Sequence, residues 1–319
     1  MEAVEALFRR AAESQRLGRY VEAVELYREV LRRSPGLKIA EENLCLALLG
    51  AGDLGEGFRG YDLRFERAVG RVPKPALSFP EWRGEPLDGR SILIWTEQGY
   101  GDQIMFARFA PALAAMGAQV SILTPAPLTR LFAALPARII EASGQVSIAR
   151  HDYWILPGSI PGRLGVIEAT LPRAPYLPGA ADGSGLGVAW RGDPRHPNDS
   201  RRSLSPQQGE ALLALQGAVS LLPEDTGAAD FAETAELIRG LAQVITVDTS
   251  IAHLAGAMGK PTWVLLPAEN CDWRWQGGRE DSPWYPSVRL FRQSAPGDWR
   301  AVIAAVQAAL GLLPTPNPG

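Results

Sequence analysis

Residues 91–102 read SILIWTEQGYGD, and this stretch decides the fold. The apolar run at residues 91–95 is typical of a buried parallel strand, and it leads into a turn with two glycines. An amphipathic helix is expected from about Gln103 to Met116. Such a strand, turn and helix form the ligand-binding corner of an α/β sheet, because glycines let the backbone turn tightly and approach a ligand. The turn lacks the pattern G-x-G-x-x-G, so no dinucleotide site is predicted.

Apolar runs of strand length recur on both sides of a breaker-rich stretch at residues 172–185. Before it, strands are expected at 119–123, 138–141 and 153–156. After it, strands are expected at 186–190, 219–222, 244–247, 262–266 and 288–292, with helices at 232–239, 251–258 and 299–310. Alternating strands and helices predict parallel pairing with right-handed crossovers, and therefore an α/β fold in two halves.

A second corner of the same kind lies at residues 247–256, which read VDTSIAHLAG. Thr249 and Ser250 are suited to cap the helix, whose free N–H groups and dipole favour an anion. His253 falls in the first turn, on the ligand side. A lone His is more often structural, but His253 and His196 are two of only three in the chain and both lie in candidate phosphate-binding loops. This placement favours a functional role for His253.

Asp102 lies where the first turn meets its helix, and two roles are open to it. An acidic residue there caps the helix and interacts favourably with its dipole. The same carboxylate at the carboxyl edge of the sheet is placed to act as a general base. Glu97, about one turn earlier, is an alternative base or a residue that orients the loop.

Two further segments carry polar or aromatic side chains toward the same edge. Residues 191–203 hold four Arg and one His without an apolar stripe, which predicts either a solvated loop or charge-assisted contacts to a pyrophosphate. Trp273 follows the strand at 262–266 and either stacks on a nucleotide base or packs between the halves.

The N-terminal residues repeat at an interval of 34. Gly18 and Gly52 are related in this way, as are Ala23 and Gly57, and apolar residues recur with helical spacing in each copy. Segment 18–35 resembles a tetratricopeptide repeat. Two repeats are fewer than a free-standing array needs, so the four helices should pack on the rest of the protein or on a second subunit. An ordinary helical bundle is the alternative.

Composition sets the broad class. The chain has 319 residues, 46% hydrophobic content and a net charge of −3, which indicates a folded protein of about two domains and argues against bulk nucleic-acid binding. Two cysteines are too few for a disulfide framework or a cysteine zinc cluster. No signal peptide or transmembrane run is recognised, so we expect a cytoplasmic location, with peripheral contact to the inner membrane also open.

Five stretches together resemble family 9 glycosyltransferases, the ADP-heptose:lipopolysaccharide heptosyltransferase-like enzymes, and more closely bacterial proteins that carry tetratricopeptide repeats ahead of such a domain. They are Trp82–Gly84, Trp95–Asp102, Trp190–Gly192 with Asn198, Asp199, Arg202 and Ser203, Val247–Gly256, and Ser282–Pro286. The resemblance implies a GT-B fold, in which two Rossmann-like halves face a cleft, with metal-independent transfer and inversion at the anomeric carbon. It divides the chain into helical repeats at 1–71, a linker at 72–90, an acceptor-side half at 91–183 and a nucleotide-sugar half at 184–319.

The resemblance also implies roles for individual residues. Asp102 is the expected base and His253 a second catalytic residue. The donor phosphates are expected at Arg201, Arg202, Asp248, Thr249, Ser250 and His253. Candidate substrate contacts are Glu97, Gln98, Gly99, Gly101, Trp190, Asn198 and Trp273. Heptosyltransferases commonly have Gly where this chain has Ser250, so the resemblance does not identify the sugar that is transferred.

These observations predict a hexosyl- or heptosyl-transferase that uses a nucleotide-diphosphate sugar as co-substrate, without a metal or other cofactor. No D-x-D motif is found where a metal-dependent transferase would need one. The repeats are expected to dock a protein or glycan acceptor, and oligomerisation is open. A catalytically inactive scaffold that uses its repeats for protein–protein interaction is the alternative, and a two-domain sugar epimerase is a third.

Overall fold

The N-terminal part of the computed structural model, which describes residues 2–66, 73–179, 182–215 and 217–311, is entirely helical. Its helices are α1 (Glu2–Arg16), α2 (Tyr20–Arg33), α3 (Lys38–Ala51) and α4 (Leu54–Gly60), followed by a 3₁₀ turn at Tyr61–Phe65. Gly18 and Gly52 separate helices with φ of 70° and 93°, a left-handed conformation that glycine adopts without strain. Four helices are thus present as predicted, and their assignment to tetratricopeptide repeats stays a prediction.

Small residues bring these helices close together, as the repeat spacing predicts at Gly57. A Cβ on Gly57 would lie 2.6 Å from Leu49 Cγ, and one on Gly50 would lie 2.5 Å from the Tyr20 ring. Side chains at these positions would push neighbouring helices apart. The predicted domain boundary after residue 71 lies outside the described residues.

The first α/β half contains a four-stranded sheet, and all its strand pairs are parallel. Its strands are β1 (Ser91–Ile94), β2 (Gln119–Thr124), β3 (Arg138–Glu141) and β4 (Tyr153–Ile155), in the order β3-β2-β1-β4. Its helices are α5 (Tyr100–Phe106), α6 (Phe109–Ala115), α7 (Ala126–Phe132) and α8 (Ile160–Leu164), with 3₁₀ turns at Pro157–Ser159 and Glu168–Thr170.

The second half contains a five-stranded parallel sheet in the order β6-β5-β7-β8-β9. Its strands are β5 (Leu186–Ala189), β6 (Ala218–Ser220), β7 (Gln243–Val247), β8 (Thr262–Leu266) and β9 (Val288–Arg292). Its helices are α9 (Asp199–Arg202), α10 (Pro206–Leu213), α11 (Pro223–Thr226), α12 (Phe231–Arg239), α13 (Ser250–Ala257) and α14 (Trp299–Ala309), with a 3₁₀ turn at Trp273–Trp275.

The helix predicted over 103–116 is wrong in its extent, because two helices occupy this region. α5 already begins at Tyr100, and α6 begins at Phe109. Pro111 explains the interruption, since it has no N–H to bond the carbonyl of Ala107 and its ring clashes there. Two smaller differences are that β6 ends at Ser220 rather than at residue 222, and that the predicted loop 191–203 contains the short helix α9.

The linker is tied to the first sheet. Residues 80–82 run beside β4, where the Trp82 amide donates to the Trp154 carbonyl at 2.8 Å. The Trp82 side chain is buried, and its indole N–H donates to the Glu85 carbonyl. One hydrophobic cluster then runs through the helical segment, the linker and both halves. These four parts therefore share a core.

Candidate active site

A cleft of about 1430 Å³ lies between the two α/β halves. It is lined by residues that follow the carboxyl ends of β1, β2, β5, β6 and β7. Parallel sheets bind ligands at this edge, because their strands end there and their helices begin there. The structure therefore brings the two corners picked out in the sequence to one cavity.

The corner after β7 lies on the floor of the cleft. Thr249 caps α13 with its hydroxyl, which accepts a hydrogen bond from the Ile251 amide at 3.3 Å. The N–H groups of the first turn have no partner within a helix, and together with the helix dipole they favour an anion. Asp248, Ser250 and His253 line the cleft beside Thr249, where the sequence predicts them.

His253 is buried and fixed by two aromatic side chains. Its Nδ1 lies 3.0 Å from the Tyr285 hydroxyl, and its ring stacks on Trp275 at 5.3 Å between centroids. Burial and the charge of Arg274 lower its pKa to about 3. The imidazole is therefore neutral at physiological pH, which suits it to hydrogen bonding rather than to charge pairing with phosphate.

Arg274 is a site residue that the sequence analysis does not single out. Its guanidinium is buried, pairs with Asp102, and holds both oxygens of Asp272 at 2.9 Å. Against the effect of burial, Arg274 lowers the pKa of Asp272. The available signal is its position between two Trp that follow β8 at the predicted sheet edge, but its partner Asp102 comes from a distant part of the chain.

Asp102 occupies the third position of α5. One carboxylate oxygen accepts a hydrogen bond from the Gly99 amide at 3.0 Å, and the other pairs with Arg274. This is the capping geometry that the sequence offers as one of its two roles. Burial raises the pKa of Asp102 above its ordinary value although the Arg274 charge opposes this, and the higher pKa makes the carboxylate a stronger base. Its catalytic role stays a prediction.

The arginine-rich segment also lines the cleft. Arg202 donates to the Asp248 carbonyl at 2.8 Å, which fixes its guanidinium beside the start of α13. Arg201 is exposed and lines the same cleft. Asn198 also lines the cleft, and its side chain donates to the Asn270 carbonyl at 3.0 Å. Burial and the charge of Asp272 raise the pKa of Asp248, so its protonated form is stabilised.

Gln98, Gly99 and Gly101 line the cleft, but three predicted substrate contacts do not. Glu97 is buried and pairs with Arg64 of the helical segment. Trp273 packs edge-on against Phe58, Tyr61 and Trp284, which agrees with its alternative role in packing. Trp190 packs on Gly209, where a Cβ would lie 2.3 Å from its ring.

In the part of the chain that the structure describes, no helix is long and apolar enough to cross a membrane. Nor does this part of the chain contain a group of three or more His, Cys, Asp or Glu side chains that could hold a metal ion.

Comparison with solved structures gives distant similarities. E. coli heptosyltransferase WaaC with ADP is 11% identical with a TM-score of 0.46, over 70% of this chain and all of that chain. The glycosyl transferase family 9 protein from Veillonella parvula is 8% identical with a TM-score of 0.46, over 73% of this chain and 92% of that chain.

Sequence comparison is more specific. Protein FlbA of Caulobacter vibrioides is 28% identical over 343 residues, which cover 88% of this chain. The chain spans 57% of the length of that relative. Residues 208–268 match the model of glycosyltransferase family 9 (heptosyltransferase), and this segment includes the corner between β7 and α13. The match supports glycosyl transfer as the class of enzyme activity.

Proposed function

We propose that this protein is an inverting, metal-independent glycosyltransferase. It would move a sugar from a nucleotide-diphosphate donor to a hydroxyl group of a protein or glycan. The observation that carries the proposal is the start of α13, which faces the cleft between two parallel sheets beside Arg202 and Arg274. The segment that matches the glycosyltransferase family model contains this helix.

The donor diphosphate is placed at this helix start. Two negative phosphates would meet the helix dipole, the N–H groups of the first turn and the hydroxyls of Thr249 and Ser250. Arg201 and Arg202 would supply positive charge beside this helix start. These groups do for the leaving diphosphate what a bound cation does in metal-dependent transferases, namely stabilise the charge that develops on it.

The reaction is a displacement at the anomeric carbon. The acceptor hydroxyl oxygen forms a bond to that carbon while the bond from carbon to the diphosphate oxygen breaks. The diphosphate leaves with the electron pair, and the Asp102 carboxylate takes the hydroxyl proton. Attack from the face opposite the leaving group inverts the anomeric configuration. Asp102 follows β1 at the start of α5, which packs against the start of α13 at Gly101.

Isothermal titration with ADP-, GDP- and UDP-sugars tests the donor site. We expect one of these nucleotides to bind, and the Arg202→Lys variant to bind it about tenfold more weakly because lysine lacks the planar fork. Arg9→Lys, on the exposed face of α1, is the matched control and should bind like the unmodified protein. If none of the nucleotide-diphosphate sugars binds, the proposed donor class is wrong.

The inactive scaffold has one observation in its favour, the engagement of both Asp102 oxygens. Asp102→Asn distinguishes an active transferase from an inactive scaffold. The amide oxygen of asparagine can still accept a hydrogen bond from the Gly99 amide, but it cannot act as a base and take the proton of the acceptor hydroxyl. For an active transferase, this variant should bind donor and lose transfer. Full transfer by Asp102→Asn would contradict the base assignment, whereas donor binding without transfer by the unmodified protein would favour the scaffold.

A further inference from the structure

Arg64 carries a buried charge from the helical segment into the first α/β half. Its side chain is 2% exposed, and its partner Glu97 is 1% exposed. The pair is bidentate, with Nε 2.6 Å from one carboxylate oxygen and Nη2 3.1 Å from the other. Breaking such a pair leaves an uncompensated buried charge, so the two groups hold each other firmly in place.

The remaining polar atoms of this pair are also engaged. Arg64 donates to the Ser159 hydroxyl at 2.8 Å and to the Tyr61 carbonyl at 3.0 Å. Glu97 accepts from the Gly158 amide at 3.2 Å. A buried network with its donors and acceptors satisfied is rigid. It therefore gives the start of the 97–102 turn a fixed position relative to the helical segment.

Gln98 extends this network into the cleft. Its backbone has a φ of 62°, a left-handed conformation that a non-glycine residue adopts only when its surroundings enforce it. Its amide nitrogen donates to Glu97 at 2.9 Å, so its amide oxygen points the other way and accepts from Arg274 at 3.4 Å. The same Arg274 nitrogen pairs with Asp102.

We propose that Arg64 is a positioning residue of the active site. Through Glu97 and Gln98 it sets the orientation of the Arg274 guanidinium, and thereby how strongly that charge acts on the Asp102 carboxylate. The catalytic part of this inference rests on the proposed function, but the structural coupling does not. The helical segment is then a component of the active site as well as a candidate acceptor-docking module.

A purely structural role for Arg64 makes a different prediction. In that case, its loss would lower global stability and leave the local order of the turn unchanged. Arg16 offers the control, because it ties the same helical segment to the second half through Glu269 and contacts neither Glu97 nor Asp62, a second carboxylate that pairs with Arg64. A comparison of the two arginines therefore separates coupling to the cleft from general support.

Hydrogen exchange of the full-length protein tests the coupling without any ligand. We expect Arg64→Lys to speed amide exchange in residues 97–102 by at least about tenfold, because lysine cannot make the bidentate pair. Arg16→Lys should leave exchange in that turn unchanged, even where it lowers the melting temperature. Equal exchange in the two variants would overturn the proposal.

Gln98→Asn covers the case in which Arg64→Lys does not fold. Asparagine tolerates the left-handed conformation but is too short to bridge Glu97 and Arg274. We expect its stability to be unchanged and the acid limb of the pH–rate profile to move to higher pH, because a displaced Arg274 no longer opposes protonation of Asp102. An acid limb at the same pH as in the unmodified protein would contradict the proposed coupling through Gln98 to Arg274. Absence of donor binding by the unmodified protein would instead contradict the proposed function, and the exchange result would stand.

Discussion

His253 is surrounded by groups that keep it neutral. Its ring lies between Trp275 and the Tyr285 hydroxyl, and the Arg274 charge makes a second positive charge unfavourable there. Gly101 allows the ring edge to approach α5, since a Cβ at that position would lie 2.7 Å from His253 Cδ2. In the proposed donor site, the phosphate charge would then be met by guanidinium groups and by the helix start, and His253 would contribute a neutral hydrogen bond.

The low pKa of His253 predicts that the protein loses stability on mild acidification. The unfolded chain binds a proton at this residue near pH 6.5, whereas the folded protein does so only near pH 3. Between these values protonation favours unfolding, so the free energy of unfolding falls as the pH falls. Between pH 7.5 and pH 5, protonation of this group alone should lower the free energy of unfolding by about 2 kcal/mol. Urea denaturation at a series of pH values measures it.

The control for this prediction is His253→Asn, which retains a polar atom near Tyr285 and has no titration in this range. Its free energy of unfolding at pH 7.5 should be lower than that of the unmodified protein, but it should decline less steeply toward pH 5. Parallel pH curves for the two proteins would show that His253 titrates normally in the folded state.

At the scale of elements, the contact between α5 and α13 joins the two halves beneath the cleft. Gly101, in the first turn of α5, makes this contact possible, because a Cβ there would also lie 3.4 Å from the Ser250 backbone. The ring of His253 cannot give way, since Trp275 and Tyr285 hold it. The two helix starts therefore face the cleft at a separation that glycine sets.

Gly101→Ala should separate these two helix starts. Overpacking of this kind costs about 1–3 kcal/mol, and we expect that loss in urea denaturation together with weaker nucleotide binding in calorimetry. Gly240→Ala is the matched control, because its φ is −72° and a Cβ there meets only the Leu237 carbonyl at 3.6 Å. That variant should be as stable as the unmodified protein or slightly more so. Unchanged stability of Gly101→Ala would show that α5 and α13 can shift freely.

The same elements show what the sequence can and cannot predict. Strands such as Arg138–Glu141 and Thr262–Leu266 are predicted with correct bounds, because each is a short apolar run between turns. The break between α5 and α6 is explained by Pro111, for which the helix predicted over 103–116 does not allow. The pairs Arg64–Glu97 and Arg274–Asp102 join residues far apart in the chain, so no local pattern reports them.

At the scale of the whole molecule, the helical segment contacts both α/β halves. Toward the first half it uses Arg64 with Glu97, and the Phe58 carbonyl packs closely on Gly162. Toward the second half, the Tyr20 hydroxyl donates to the Cys271 carbonyl at 2.8 Å and the Phe58 ring packs against Trp273. A segment bound to both halves restrains any hinge between them.

The halves also meet directly. Arg130 of α7 pairs with Asp230 and Glu233 at the start of α12, and Tyr100 packs on Phe231. Exposed ion pairs are weak, but the contact between the Tyr100 and Phe231 rings adds to them. Because the helical segment is also bound to both halves, domain closure on donor binding should be small.

Distance measurements between spin labels test this restraint. Labels at Ala134→Cys and Leu237→Cys, in a Cys271→Ser background, report the separation of the two halves near α7 and α12. We expect one narrow distance distribution that a bound nucleotide sugar does not shift.

Phe58→Ala removes the ring that packs on both Trp273 and Trp284, so the distance distribution of this variant should be broader in the absence of ligand. Bound ligand should make it narrow again. A shift of several ångströms in the unmodified protein would mean that the helical segment moves with one half and does not restrain the hinge.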